Sequence, residues 1–419
     1  MNCEIDGKSF PVEQPASVGD LRQLVRAAAA RGQSIYPVGG RTMLGFGLPP
    51  TRDGIALDTT RLDRVIDYPS RDMTITVEAG IRVATLQEIL RAEGQRLPID
   101  VPRAAEATLG GAIATNTSGP RRYGCGTFRD YVIGITVVDA AGNETKAGGR
   151  VVKNVAGYDL CKLYTGSLGT LGIITQVTLK LKPIPEASSL VALKFTELAP
   201  AAAALDRLSS SRTRPVAIDL LNPAASEFVA AQSGEDFRGR TNRSLPWNVV
   251  VGFEENAEAV RWQENQLIQE SAEFDPWSAG FTGEQAQHLW SLLIAFQSLD
   301  SGQVTFKANF LNSATAQFVE AASREDVAWS IQAHAGNGIA YGHARSPADS
   351  DAARGSLDRL RSLAVSQQGN LVLRRCSAEW KSKQSAWGES RGDRWLMQAI
   401  RRKLDPQNLF NPGRFICDG

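Results

Sequence analysis

The chain has 419 residues, with 46 Lys and Arg against 45 Asp and Glu and a formal net charge of +1 at pH 7. That length exceeds what one hydrophobic core serves, so two domains are expected. The balanced charge, with no long run of either sign, excludes the basic footprint of a nucleic-acid binder and leaves small molecules and proteins as partners. The N-terminal stretch "MNCEIDGKSFPVEQP" has no apolar signal region, and no segment has the length and apolarity of a membrane span. A cytoplasmic location is expected, with any membrane association arising through partners. Cys3, Cys125, Cys161, Cys376 and Cys417 are scattered, which fits a reducing compartment and excludes a clustered iron–sulfur or zinc framework.

Ser17 precedes "VGDLRQLVRAAAARG", in which Asp20 stands at the capping-box position, Leu21, Leu24, Val25 and Ala28 share a face, and Gly32 follows. This is a helix. "SIYPV" leads as a strand into the glycine-rich "GGRTMLGFG". After "DMTITVEAG", "RVATLQEILRAEG" forms a second helix presenting Val83, Leu86, Ile89 and Leu90 on one side. From Asp130, "YVIGITVVDAAGNETKA" reads as a hairpin turning at Gly-Asn. In "IITQVTLKLKPIP", Val177, Leu179 and Leu181 alternate with Thr178, Lys180 and Lys182 until two prolines end the strand. The first domain is therefore expected to span 1–186. In the second, 187–396, the helix-like "ELAPAAAALDRLSSSRTRP" and "NAEAVRWQENQLIQE" flank the strand-like "WNVVVGFE", giving an α+β class.

Two segments, "PVGGRTMLGFG" (37–47) and "ATLGGAIATNTSGPRRYGCG" (107–126), are crowded with Gly, Ser and Thr. Such loops let backbone N–H groups approach a pyrophosphate. Neither carries a P-loop or Rossmann signature, so composition leaves phosphate binding and plain structural turns both open. A third segment runs from Gly148 to Glu186, and its Gly166, Gly169 and Gly172 recur every three residues just before a strand, a spacing suited to close backbone approach.

Together the three segments resemble the FAD-binding domain of the vanillyl-alcohol-oxidase (PCMH) type, and most closely the FAD-binding subunits of bacterial glycolate oxidases. "GGRVVKNVAGYDLCKLYTGSLGTLGIITQVTLKLKP" carries most of the likeness. "MQAIRRKLDPQNLFNPGRF" resembles the terminal signature of the same group, so 397–419 is expected to return to the FAD domain. The resemblance implies a PCMH-type FAD domain followed by an α+β cap. It places the pyrophosphate loop at Pro37, Val38, Gly39, Gly40, Arg41 and Thr42, the pyrophosphate and ribityl wrap at Thr108, Gly110, Gly111, Ser118 and Gly119, and flavin contacts at the backbone of Gly172 and Ile173. The first loop has Arg41 and the second no histidine, so non-covalent FAD is expected. Cys125 is the one nearby candidate for a thioether and otherwise a free thiol. Arg121 and Arg122 suit FAD phosphate, an acidic substrate or plain solvent exposure. Lys153 and Asn154 belong to the resembling motif as loop contacts.

Two of the three histidines, His334 and His343, lie in "QAHAGNGIAYGHA". Read as a hairpin turning at Gly-Asn, the segment pairs His334 with Ile339 and His343 with Ser330, leaving the histidines roughly 13 Å apart at about 3.3 Å per residue, whereas a three-residue loop would point them to opposite faces. Neither register allows shared metal ligation, and no metal is expected. Catalytic members of the resembling group carry His-x-Gly-Asp-Gly-Asn-x-His, where this chain reads His334-Ala335-Gly336-Asn337-Gly338-Ile339-Ala340-Tyr341. Their Gly-Glu-His-Gly segment corresponds to "RRCSAEWKSK", which keeps Glu379 but has Trp380 for the histidine. The catalytic candidates are His334, Glu379 and Tyr341.

The resemblance implies the FAD-binding subunit of a complex that oxidises glycolate to glyoxylate. Its partners would be a homologous FAD-containing catalytic subunit and an iron–sulfur subunit that receives the electrons, and the substrate a small 2-hydroxy acid. Two other readings stay open: a self-sufficient FAD-dependent dehydrogenase of glycolate or D-lactate, and a non-catalytic assembly subunit. In the last, Trp262, Trp277 and Trp290 serve docking or, alternatively, core packing.

Overall fold

A computed structural model describes residues 2–149, 158–233, 245–299, 304–344, 351–389 and 392–415. Lys153, Asn154 and Cys417 lie outside them. The chain divides into two compact units, one of 1–118, 127–184 and 390–419, the other of 119–126 and 185–389.

The first unit starts from the expected helix, Val18–Ala30. The Ser17 side chain accepts from Asp20 N at 3.1 Å, which caps it, and Leu21, Val25 and Ala28 are buried. Beside it is a four-stranded sheet in the order Asn2–Ile5, Lys8–Glu13, Gly54–Asp58, Ser34–Val38. The first pair is antiparallel and the others parallel. A five-stranded antiparallel sheet follows the order Val65–Asp67, Thr74–Glu78, Ile173–Lys180, Val132–Val138, Glu144–Gly148. Its last two strands are the hairpin read at Gly-Asn. Along Ile173–Lys180 the alternation holds: Val177 and Leu179 are buried, packing with Leu86 and Leu90 of helix Val83–Ala92, while Lys180 is exposed. The C-terminal stretch joins this unit, where Phe410 bridges to Ile35.

The second unit is built on an eight-stranded antiparallel sheet. Its order is Trp277–Thr282, Ala187–Phe195, Trp247–Glu255, Ala217–Leu221, Trp329–His334, Ile339–Ala344, Thr305–Asn309, Asn370–Arg375. Helices Pro223–Ser233 and Gly283–Ala295 cover one face through a cluster containing Leu190, Val250, Leu289, Trp290 and Phe296. Val191, Leu193, Leu220 and Ile331, which alternate with that set, are buried on the other. Trp290 is core, whereas Trp262 is 45% exposed.

The sequence reading kept 119–126 with the first domain, but this stretch clusters with the second unit. The reason is Arg121: its Nε donates to Glu254 Oε1 at 2.8 Å, and its guanidinium lies 3.7 Å from the Trp290 ring centroid. Gly124 N also donates to Val216 O at 3.0 Å. Among the described residues, no helix is long and apolar enough to cross a membrane.

Candidate functional site

In the first unit, strand Ser34–Val38 delivers Pro37 and Val38 into the first glycine-rich segment. A Cβ on Gly39 would lie 2.1 Å from Thr108 Oγ1, and one on Gly40 1.8 Å from the Glu106 carbonyl oxygen. Only glycine lets this loop lie so close on residues 106–108. Arg41 then takes φ +58° and pairs its guanidinium with Asp58 Oδ2 at 3.0 Å. The N–H groups of Gly39, Gly40, Arg41 and Thr42 have no hydrogen-bond acceptor among the described residues. Successive unpaired N–H groups around a left-handed residue form a concavity suited to an anion.

The second segment folds onto the first. Thr108 caps helix Leu109–Ala114 by accepting from Gly111 N at 3.3 Å, and Gly110 N donates to Ala79 O at 2.7 Å. Ser118 is buried at the last residue that goes with the first unit, and Gly119 lies in the stretch that goes with the second. Cys125 is buried in helix Arg122–Cys125 of that same stretch.

Gly166 N to Ile113 O and Leu168 N to Ala114 O tie the third glycine segment to the second. Asn116, at φ +47°, and Ser167 hold buried oxygens, Oδ1 and Oγ, with no hydrogen-bond partner. Gly172 takes φ +148°, and a Cβ there would lie 2.5 Å from Val137 Cγ1. Ile173 then begins its strand opposite Val138. A run of free N–H donors beside orphaned buried oxygens fits FAD, which brings an anionic pyrophosphate and a hydroxyl-bearing ribityl chain.

The second unit carries a different chemistry. The ladder puts His334 opposite Ile339 and His343 opposite Ser330, the register expected from the sequence. It also sets Asp219 opposite His334, and Tyr341 between Gln332 and Lys307, so these groups share one face of the sheet. His334 Nδ1 is 2.7 Å from Asp219 Oδ1, and Gln332 Nε2 donates to Asp219 Oδ2 at 2.6 Å. A carboxylate only accepts, so Nδ1 carries the proton that faces Asp219, and the neutral form of this ring has its lone pair on Nε2. That Nε2 is buried without a hydrogen-bond partner.

Tyr341 is buried with its ring centroid 5.6 Å from that of His334. The Lys307 amine is 5.8 Å from the Tyr341 ring centroid, and the Arg374 guanidinium carbon is 5.9 Å from the same centroid. Tyr341 favours the charged form of Lys307, but burial together with Arg374 and Arg122 outweighs it and holds the amine below the usual lysine range. Burial likewise lowers the pKa of Arg374. Two cations drawn into one buried place make a site for an anion.

His343 stands apart from this chemistry. Its Nδ1 meets Thr305 Oγ1 at 3.1 Å, its ring packs edge-on against Phe296, and burial pulls its pKa down to about 4. Glu379 is exposed on helix Ala378–Lys383, unlike the buried His334 and Tyr341. Among the described residues no group of three His, Cys, Asp or Glu is placed to hold a metal. Asp219, Gln332, Lys307 and Arg374 escaped the sequence reading. The available signal was a lone charge inside an apolar strand, as in "AIDLL" and "VTFKANF".

Comparison with known proteins matches two families to the chain. A family described as FAD binding domain matches residues 11–148, and one described as FAD linked oxidases, C-terminal domain, matches residues 184–372. The D-2-hydroxyglutarate dehydrogenase of Xanthomonas citri pv. viticola is 28% identical over 96% of this chain and 88% of its own length. The glycolate oxidase subunit GlcE of Escherichia coli (strain K12) is 38% identical over 40% of this chain and 48% of its own. A structure of p-cresol methylhydroxylase with substrate bound superposes with a TM-score of 0.71 at 16% identity, covering 96% of this chain and 88% of that one, a likeness of fold. The α+β architecture is thus a PCMH-type FAD-binding domain with an FAD-oxidase C-terminal cap domain.

Proposed function

The chain belongs to the FAD-linked oxidase family, and from that premise we propose that it oxidises a small 2-hydroxy acid, such as glycolate or D-lactate, within its own cap domain. One observation carries this reading: the buried His334–Asp219 pair, with Nε2 unpartnered. Asp219 fixes the tautomer, and His334 Nε2 takes the proton of the substrate hydroxyl as the carbon–oxygen double bond forms. Lys307 and Arg374 hold the substrate carboxylate, and Tyr341 orients it through its contact with Lys307. FAD, which the Gly39–Thr42 loop would hold non-covalently, would supply the two-electron (hydride) acceptor that this oxidation needs. The products are the 2-oxo acid and a proton on His334.

A second reading is favoured by the 38% identity to the GlcE segment. In it the chain is the FAD-binding subunit of a glycolate oxidase-type complex, working with a homologous FAD-containing catalytic subunit and an iron–sulfur subunit. An anaerobic absorbance spectrum of the purified chain separates the two. Bleaching of the flavin by glycolate or D-lactate alone supports the first reading; bleaching only after the catalytic partner is added supports the second.

A further inference from the structure

The C-terminal segment Leu409–Arg414 supplies no group to either site described above, yet it is bonded to both ends of the anion-binding loop. Ile35 N donates to Leu409 O at 2.8 Å and Asn411 N to Ile35 O at 2.9 Å, so the segment flanks the strand that feeds Gly39–Thr42. Asp405 fixes its entry by accepting from Leu409 N at 2.9 Å and Phe410 N at 2.8 Å.

Beyond Thr42 the chain turns through Met43–Leu48, and there its carbonyls converge on one side chain. Arg414 donates to Leu44 O at 2.5 Å, Phe46 O at 2.7 Å and Leu48 O at 2.8 Å, and its remaining reach is taken by Asp6. Leu48 N returns a bond to Arg414 O at 3.0 Å. Gly47, at φ +106°, lets the two backbones meet, since a Cβ there would lie 2.7 Å from Arg414 O. At the other end Asn411 Nδ2 donates to Leu168 O at 2.8 Å, and a Cβ on Gly169 would lie 3.1 Å from that same nitrogen.

We propose that residues 409–414 act as a strap that sets FAD affinity, with Arg414 and Asn411 as positioning residues for the first and third glycine segments. A planar guanidinium fixes three carbonyls in one geometry, which a lysine ammonium does not. Holding the loop in place before binding removes the ordering cost that a looser loop imposes on cofactor uptake. The strap thereby keeps the free N–H groups of Gly39–Thr42 aimed without touching the cofactor.

The proposal rests on the first unit holding FAD, and the test separates the two claims. Full-length wild type, Arg414→Lys, Asn411→Ala and Asp6→Asn are freed of flavin and titrated with FAD by fluorescence quenching, alongside thermal midpoints of the flavin-free proteins. Arg414→Lys is expected to raise the FAD dissociation constant at least about tenfold, chiefly through faster release, and Asn411→Ala by about threefold or more, both with the protein fully folded. Asp6→Asn leaves the carbonyl contacts of Arg414 in place, and is expected to lower the midpoint while keeping FAD affinity within about twofold. Affinity that simply follows the midpoint across the four proteins, or that stays within about twofold in every variant, overturns the strap. A wild type that takes up no FAD overturns the strap and the cofactor reading beneath it.

Discussion

His334 Nδ1 and Asp219 Oδ1 lie 2.7 Å apart on neighbouring strands of the cap sheet, both side chains 3% exposed or less. Asp219→Asn keeps the size of the partner but offers an amide that can donate to Nδ1, which shifts the ring proton to Nε2 and removes the base. Flavin reduction by substrate, followed by anaerobic stopped flow, is expected to slow by about 10²–10⁴-fold while the oxidised flavin spectrum is unchanged. A rate within about threefold of wild type would show that this pair holds the sheet together and nothing more.

Lys307 separates binding from chemistry. Lys307→Met keeps the length of the side chain and removes its charge, so the substrate carboxylate loses one charge-assisted contact. The expected result is a KM raised by about 10- to 100-fold, with a smaller change in kcat. Unchanged KM for both glycolate and D-lactate would place the carboxylate elsewhere.

Gly40 is the sharpest test of the first unit. A methyl there would sit 1.8 Å from the Glu106 carbonyl oxygen, which is backbone and has no rotamer to give. Gly40→Ala is expected to yield a protein that loses its yellow colour on gel filtration. Gly32→Ala, where nothing lies within 4 Å, meets no clash and bears only the cost of its own φ of +63°, and is expected to keep its flavin.

His343 gives the cap a dependence on pH. Burial lowers its pKa to about 4, with Arg374 and Arg375 adding to the shift, against about 6.5 in the unfolded chain. The folded state therefore binds fewer protons than the unfolded state between these values. Stability from this group is full above pH 6.5 and is lost as the pH falls toward 4, by about 3 kcal/mol in all. Urea midpoints at pH 7.5, 6 and 5 should fall more steeply for wild type than for His343→Gln; parallel slopes would refute the assignment.

Much of this was legible in the one-dimensional pattern, because the features concerned are local. A Ser17 cap, the 3.6-residue spacing of Leu21, Val25 and Ala28, and the period-two alternation through Val177 and Leu179 depend only on near neighbours. The register of His334 against Ile339 followed from a short turn. The FAD-type loops were legible as motif, since glycine at residues 39, 40 and 172 answers a backbone demand that no other residue meets.

What the tertiary structure alone decided are relationships between distant parts of the chain. Asp219 and His334 are 115 residues apart, and sequence spacing carries no trace of a pairing set by the order of strands in a sheet. Lys307 and Tyr341 look like isolated residues in two strands until the ladder sets them opposite each other, and Arg374 joins them from the irregular pairing of the next strand, 5.9 Å from the Tyr341 ring centroid. Arg121, within the second glycine-rich segment, suits FAD phosphate, an acidic substrate or solvent by sequence alone, whereas the fold pairs it with Glu254 and Trp290. Arg414 reaches back across 370 positions to Leu44. The sequence by itself specified the elements and the cofactor-binding motif, because those arise from backbone conformation and side-chain period. Which charges share a buried face was left to packing, because burial and strand order are properties of the folded whole.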